Sequence, residues 1–119
     1  MNNIAKRAIN IVGVPMDLGA SRRGTDLGPG ALRAAGIDGV LRQLGFTVGV
    51  QSDIMVPSCE SRESYGDKSS RFCQEIKQVC SSLRDRVEEI MDAGETPLVL
   101  GGDHAIAMGT IAGVANHCT

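Results

Sequence analysis

The residues of this chain best suited to chemistry stand together in one turn. Gly101-Gly102-Asp103-His104 sets a carboxylate beside an imidazole directly after the apolar run Pro97 to Leu100. Imidazole nitrogen suits first-row divalent metals, and a neighbouring carboxylate can ligate the ion or orient the ring. The same two residues also suit a purely structural turn, with the carboxylate capping a following helix. The second histidine adds nothing to such a site. His117 lies thirteen residues beyond His104, roughly 20 Å along a helix axis and on another face, so it reads as a solvated residue near the end. No Asp or Glu follows His104, so that stretch offers a hard metal no further oxygen ligand.

Other signatures of chemistry fail on spacing. Gly28-x-Gly30 invites a dinucleotide reading, but Arg33 occupies the third glycine position and the glycines do not directly follow a strand. No G-x-x-x-x-G-K-[ST] run is present, and Ser21, Ser58 and Ser61 lie outside any G-x-S-x-G elbow. Arg23-Gly24 and Gly28-Pro29 are sufficiently explained as a turn and a helix start. The four cysteines, Cys59, Cys73, Cys80 and Cys118, form no C-x-x-C pair. They are expected to be reduced and mostly buried.

The elements that must position the turn follow from periodicity. Ala8 to Val14 is a short, nearly continuous β-branched run, as in a strand buried on both faces. Pro29 suits a first helical turn leading into Ala31 to Ala35, and Gly36 breaks that helix. Asp38 is expected to cap a second short helix, with Gly45 at its left-handed end. A second strand is expected over Phe46 to Val50. The polar stretch Gln51 to Ser70 reads as a mobile surface loop. Phe72, Cys73, Ile76, Val79, Cys80, Leu83, Val87, Ile90 and Met91 recur at steps of three and four, predicting one long amphipathic helix that Gly94 stops. Pro97 to Leu100 is a third strand, and Ala105 to Ala115 a closing helix. This alternation predicts an α/β, three-layer αβα fold whose parallel sheet is partial, with about three strands. Ligands of such sheets bind beyond the carboxyl ends of the strands, where both the loop after Val14 and the Gly-Gly-Asp-His turn would lie.

Composition narrows the classes further. At 119 residues one core is the ceiling, and 42% apolar with 22% charged residues is ordinary for a globular chain. Aromatic residues make up 3%, the net charge is -2, and the basic doublets are Lys6-Arg7 and Arg22-Arg23, too few and too far apart in the chain to make a basic run. Nucleic acid is therefore excluded as an expected partner, since it demands a basic face or stacking platforms. No apolar run approaches the roughly 20 residues needed to span a bilayer, and no secretory leader is evident, so a cytoplasmic protein without a membrane partner is expected.

Three segments together resemble a known family. They are Ile11-Val12-Gly13-Val14-Pro15-Met16-Asp17-Leu18-Gly19, Arg23-Gly24-x-x-x-Gly28-Pro29-x-x-Leu32-Arg33, and Leu98-Val99-Leu100-Gly101-Gly102-Asp103-His104. In order and spacing they resemble the N-terminal third of the ureohydrolases, the family of arginases, agmatinases and formiminoglutamases. The Val-Pro-Met-Asp-Leu-Gly wording favours a bacterial-type arginase.

The resemblance implies that residues 1–119 are the N-terminal part of a single ureohydrolase domain. It implies a pair of Mn²⁺ ions whose bridging hydroxide attacks the guanidinium carbon of L-arginine, giving L-ornithine and urea, in a homo-oligomeric enzyme. His104 matches the family's first metal-ligand histidine, and Asp103 is expected to orient backbone or ring from behind it. The family's later Asp-Ala-His-x-Asp and Asp-x-Asp motifs, which carry the remaining ligands and the proton-shuttling histidine, have no match here. The 119 residues alone are accordingly expected to be inactive and to supply no catalytic residue. Ala105 replaces a serine common after the motif histidine, where a hydrogen bond near the metal could change. Ser52 replaces a glycine usual before the Asp-Ile pair, where only a loop is expected to change. An agmatinase or other guanidino-substrate ureohydrolase is the alternative, as is a non-catalytic truncated protein that binds a partner through its uncovered sheet edge.

Overall fold

A computed structural model describes residues 8–20, 24–49, 51–57 and 73–118. Strand β1 (Ala8–Val14) lies at the centre of a wholly parallel sheet. The 3₁₀ turn Thr25–Leu27 leads into helices α1 (Gly28–Ala34) and α2 (Ile37–Gln43), then short strands β2 (Thr47–Val48) and β3 (Ser52–Asp53). Helix α3 (Cys73–Asp92), strand β4 (Thr96–Gly101) and helix α4 (Ile106–Cys118) complete the order. β2 and β3 pair end to end along one side of β1, through Ala8–Thr47 and Val12–Ser52, and β4 pairs along the other side from Ile9–Thr96 to Val14–Gly101. The chain thus leaves β1 first to one side and then to the other. Right-handed crossovers then put the α1/α2 pair and α3 on opposite faces, which gives the three layers.

The two faces of β1 differ. Val12 and Val14 pack with Val79, Leu83, Val87 and Ile90 of α3, together with Met16, Leu18 and Ile54. The four α3 residues recur at steps of four and three, so one stripe of the helix is buried. On the other face, alternation brings Gly13 under the side chains of Arg33 and Asp53, leaving room for an ion pair where a larger residue would stand. Helix α4 lies against α3 through Gly109 and Gly113, both buried. Its opposite face leaves Met108, Ile111 and Val114 exposed. Among the described residues, the outer edge of β4 has no strand paired to it. No helix among them is long and apolar enough to cross a membrane.

Several local expectations need correction. The anticipated second strand breaks after Val48, and pairing resumes at Ser52 and Asp53, inside the stretch read as a loop. The cause is β1, which has a full edge to satisfy: the amides of Gly49 and Ile54 donate to the carbonyls of Ile9 and Gly13, both at 2.8 Å. The rest of that stretch, residues 58–70, lies outside the described residues, as do Phe72 and Cys59. Asp38 does not cap α2. Gly36, at φ 88°, stands at the cap, while Asp38 sits inside the first turn and pairs with Arg42 at 3.0 Å. That guanidinium holds the Asp38 carboxyl below its usual range. Gly45 and Gly94 take the expected left-handed φ, at 97° and 77°. Cys73 and Cys118 are exposed, not buried, because they fall at the first turn of α3 and the last turn of α4, beyond the reach of the core. His117 is less free than expected, since its Nδ1 lies 2.8 Å from Asp92 Oδ1.

Candidate functional site

β4 runs out of the sheet beside β1, and the two strand ends bring together the segments singled out by sequence. Gly102 turns the chain with φ 58°, against the Met16 and Val14 carbonyls, a position only glycine fits. The Asp103 amide then donates to Met16 O at 2.8 Å. The Asp103 carboxylate accepts two more backbone N–H groups: Gly19 at 2.7 Å on Oδ2 and Ala105 at 2.9 Å on Oδ1. Asp103 therefore orients backbone on both sides of the turn. The His104 ring makes no hydrogen bond among the described residues, and its carbonyl accepts from Ala107 at 3.1 Å as α4 begins. His104 is exposed at the rim of an open apolar groove of about 590 Å³, lined also by Ala105, Met108 and Ile111.

The surroundings are built by close backbone approach. Gly28, the first residue of α1, abuts the Gly101 carbonyl, so the motif glycine is there because a strand end passes it. Asp17 is buried and accepts from the Gly24 amide at 3.3 Å, tying the loop after β1 to the segment that starts α1. Cys80 donates to the Ala105 carbonyl at 3.4 Å. Burial pushes this thiol up, the Asp103 charge adds to the rise, and a backbone hydrogen bond with Gly109 opposes it. Cys80 is thus a protonated donor at neutral pH. Ala105 has no side-chain oxygen to offer, and its amide is held by Asp103.

Ser52 is a strand residue with partners of its own. Its hydroxyl accepts from Arg86 Nε at 3.2 Å, and its carbonyl accepts from Arg33 NH2 at 3.3 Å. The change from the glycine usual at this position thus ties β3 to α3, where only an altered loop was expected. Arg33 NH1 lies 2.6 Å from Asp53 Oδ1, so this carboxylate at the same end of the sheet is already matched to a guanidinium of the chain itself. Sequence reading missed the Arg33–Asp53 pair and the Gly19–Asp103 contact. Gly19 and Arg33 stand inside the quoted segments, but Asp53 lies outside all three, 20 residues beyond Arg33.

The donor set is incomplete. No three His, Cys, Asp or Glu residues among those described come together as a metal cluster. With Asp103 engaged by two amides, these residues fit one ligand position, His104, and do not fit a pair of manganese ions.

Over residues 7–119 the sequence matches the arginase family. The chain belongs to the arginase family. The arginase of Brevibacillus brevis is 47% identical over 109 residues, a match covering 92% of this chain and 36% of that protein. The arginase of Bacillus caldovelox is 42% identical over 111 residues, covering 93% and 37%. The native crystal structure of the Bacillus caldovelox arginase superposes with a TM-score of 0.83 at 42% identity, again over 93% of this chain and 37% of that one. A hypothetical agmatinase from Burkholderia thailandensis shares the fold at a TM-score of 0.63 and 21% identity. The chain spans little more than a third of the length of its curated arginase relatives.

Proposed function

We propose that these 119 residues form the N-terminal part of an arginase-type ureohydrolase, which hydrolyses L-arginine to L-ornithine and urea with manganese. The observation that supports this most is the Gly101–His104 turn, which sets an imidazole at the carboxyl end of β4, beside the central strand, in a chain 42–47% identical to two arginases. Manganese, completed by ligands beyond the described residues, would supply a water of lowered pKa and stabilise charge on the reacting centre. Toward that chemistry the chain contributes His104 as one ligand, and Asp103 as the residue that holds its turn. The remaining ligands are not among its described residues.

Two assays test this reading. The purified 119-residue chain with Mn²⁺ and L-arginine is expected to release no urea above a protein-free blank; sustained, protein-dependent release would refute the assignment of an incomplete site. Grafting the chain in place of the matched 37% of the Bacillus caldovelox arginase is expected to give an active hybrid. In that hybrid His104→Ala should cost more than the roughly 10–100-fold that follows loss of an outer partner of a metal ligand. An active hybrid indifferent to His104 would remove the residue from the ligand set.

The open edge of β4 and the exposed apolar face of α4 favour a second reading, association with a partner. Gel filtration tests it. Elution above 12.5 kDa, with the apparent mass rising with concentration, is the expected result, and a compact monomer at every concentration would exclude self-association.

A further inference from the structure

Residues 84 positions apart in the chain meet at one carboxylate. Asp103 reaches the loop after β1 twice, through its amide to Met16 O and through Oδ2 to the Gly19 amide, and it reaches the start of α4 through Oδ1 to the Ala105 amide. Gly19 fits closely at this junction. A Cβ there would stand 3.1 Å from the Ala105 Cβ and 3.2 Å from Asp103 Oδ2. The loop continues through buried Asp17 to the Gly24 amide, so its far end is held as well. His104 follows Asp103 directly, and with no hydrogen bond to its own ring among the described residues, its direction depends on the backbone that carries it.

We infer that Asp103 and Gly19 form a clasp in which Asp103 is a positioning residue, locking the loop of residues 15–20 to the turn so that His104 projects in one direction, without itself ligating metal. The functional consequence rests on the reading of His104 as a ligand; the clasp does not. Both carboxylate oxygens serve N–H donors, and bonds from amides to an ionised acceptor are the stronger kind. An asparagine of the same shape has one carbonyl oxygen and one NH₂, so it satisfies one of these amides and turns donors on the other. Asp103→Asn therefore opens half the clasp with little change in volume.

Amide hydrogen exchange and side-chain relaxation on the 119-residue chain test the inference. In Asp103→Asn, exchange at Gly19 or Ala105 should accelerate by about tenfold or more, in line with losing a bond to a charged acceptor, while amides of β4 paired with β1 keep their protection. His104 should at the same time change from one side-chain rotamer to an average of several. His104→Ala should leave both amides as slow as in the parent. Unchanged exchange at both amides in Asp103→Asn would overturn the inference, as would faster exchange with the His104 rotamer unaltered. Should Asp103→Asn also unfold the sheet, Gly19→Ala decides, because it crowds the same junction and leaves the carboxylate in place: a His104 ring as ordered as in the parent would sink the proposal. Mn²⁺ alone, added to the parent chain, separates the two claims. Broadening of the His104 ring signals that weakens in Asp103→Asn supports both, and faster Gly19 exchange on Mn²⁺ addition would show Asp103 ligating and refute its assigned role. No broadening at His104 would overturn the ligand reading, while the amides still decide the clasp.

Discussion

Gly113→Val is expected to cost the chain about 3 kcal/mol or more, at the upper end of what overpacking a core does. A Cβ at Gly113 would stand 2.7 Å from the Arg84 carbonyl and 2.8 Å from the Val87 Cβ, and one at Gly109 would stand 2.6 Å from the Cys80 carbonyl. Backbone atoms of α3 cannot rotate away as a side chain can, so the two helices must separate. The stripe Val79, Leu83, Val87 that both share with the sheet then loses its fit. Alanine at Gly113 should still destabilise, even though exchanging glycine for alanine inside a helix gains about 1 kcal/mol. Gly39 gives the contrast: it lies in α2 with an ordinary φ, and a Cβ there would meet nothing within 4 Å, so Gly39→Ala should stabilise by about 0.5–1 kcal/mol. Urea unfolding of the three variants reads the signs directly. Gly113→Ala as stable as Gly39→Ala would mean that the close helix approach is not real.

The second large effect is expected at Gly102. Its φ of 58° costs a non-glycine residue about 1–2 kcal/mol, and its Cβ would also meet Val14 O at 2.8 Å and Met16 N at 2.9 Å. Together these place Gly102→Ala near ~3 kcal/mol, with the backbone penalty and the contact penalty of similar size. Gly24→Ala separates the two, because Gly24 has φ 117° and nothing within 4 Å, so it bears the backbone penalty alone. The damage at Gly102 should also be directional. The Asp103 amide leaves Met16 O, and the Gly19 and Ala105 amides lose protection before β1 and β4 do. Equal losses for Gly102→Ala and Gly24→Ala in urea unfolding would show that the turn has room to relax.

Much of this arrangement was legible because it is local. The apolar run Ala8 to Val14, the three-and-four spacing from Val79 to Ile90, and the glycines at 36, 45 and 94 each state a backbone preference that neighbouring residues do not contradict. The order of these elements was enough to foretell a parallel sheet with helices on both faces. The Gly-Gly-Asp-His turn was likewise recognisable as a strand end able to present an imidazole. Where the reading went astray, distant residues decided. Ser52 and Asp53 are polar and sit in a polar stretch, yet they are drawn into the sheet by the unsatisfied edge of β1 and by Arg33 and Arg86. Cys73 fits the apolar pattern of α3 but lies at the helix end, beyond the packed stripe.

By itself, then, the sequence determined the class of fold, the order of its layers and the strand-end turn that carries an imidazole, because periodicity, turn chemistry and short motifs act over a few residues. Tertiary structure alone decided which amides Asp103 holds, why Gly28 and Gly113 must lack side chains, and which carboxylates are already matched. Those answers depend on atoms brought within 3 Å by segments 20 to 84 residues apart, as in Arg33–Asp53 and Gly19–Asp103, and no local preference records such a meeting.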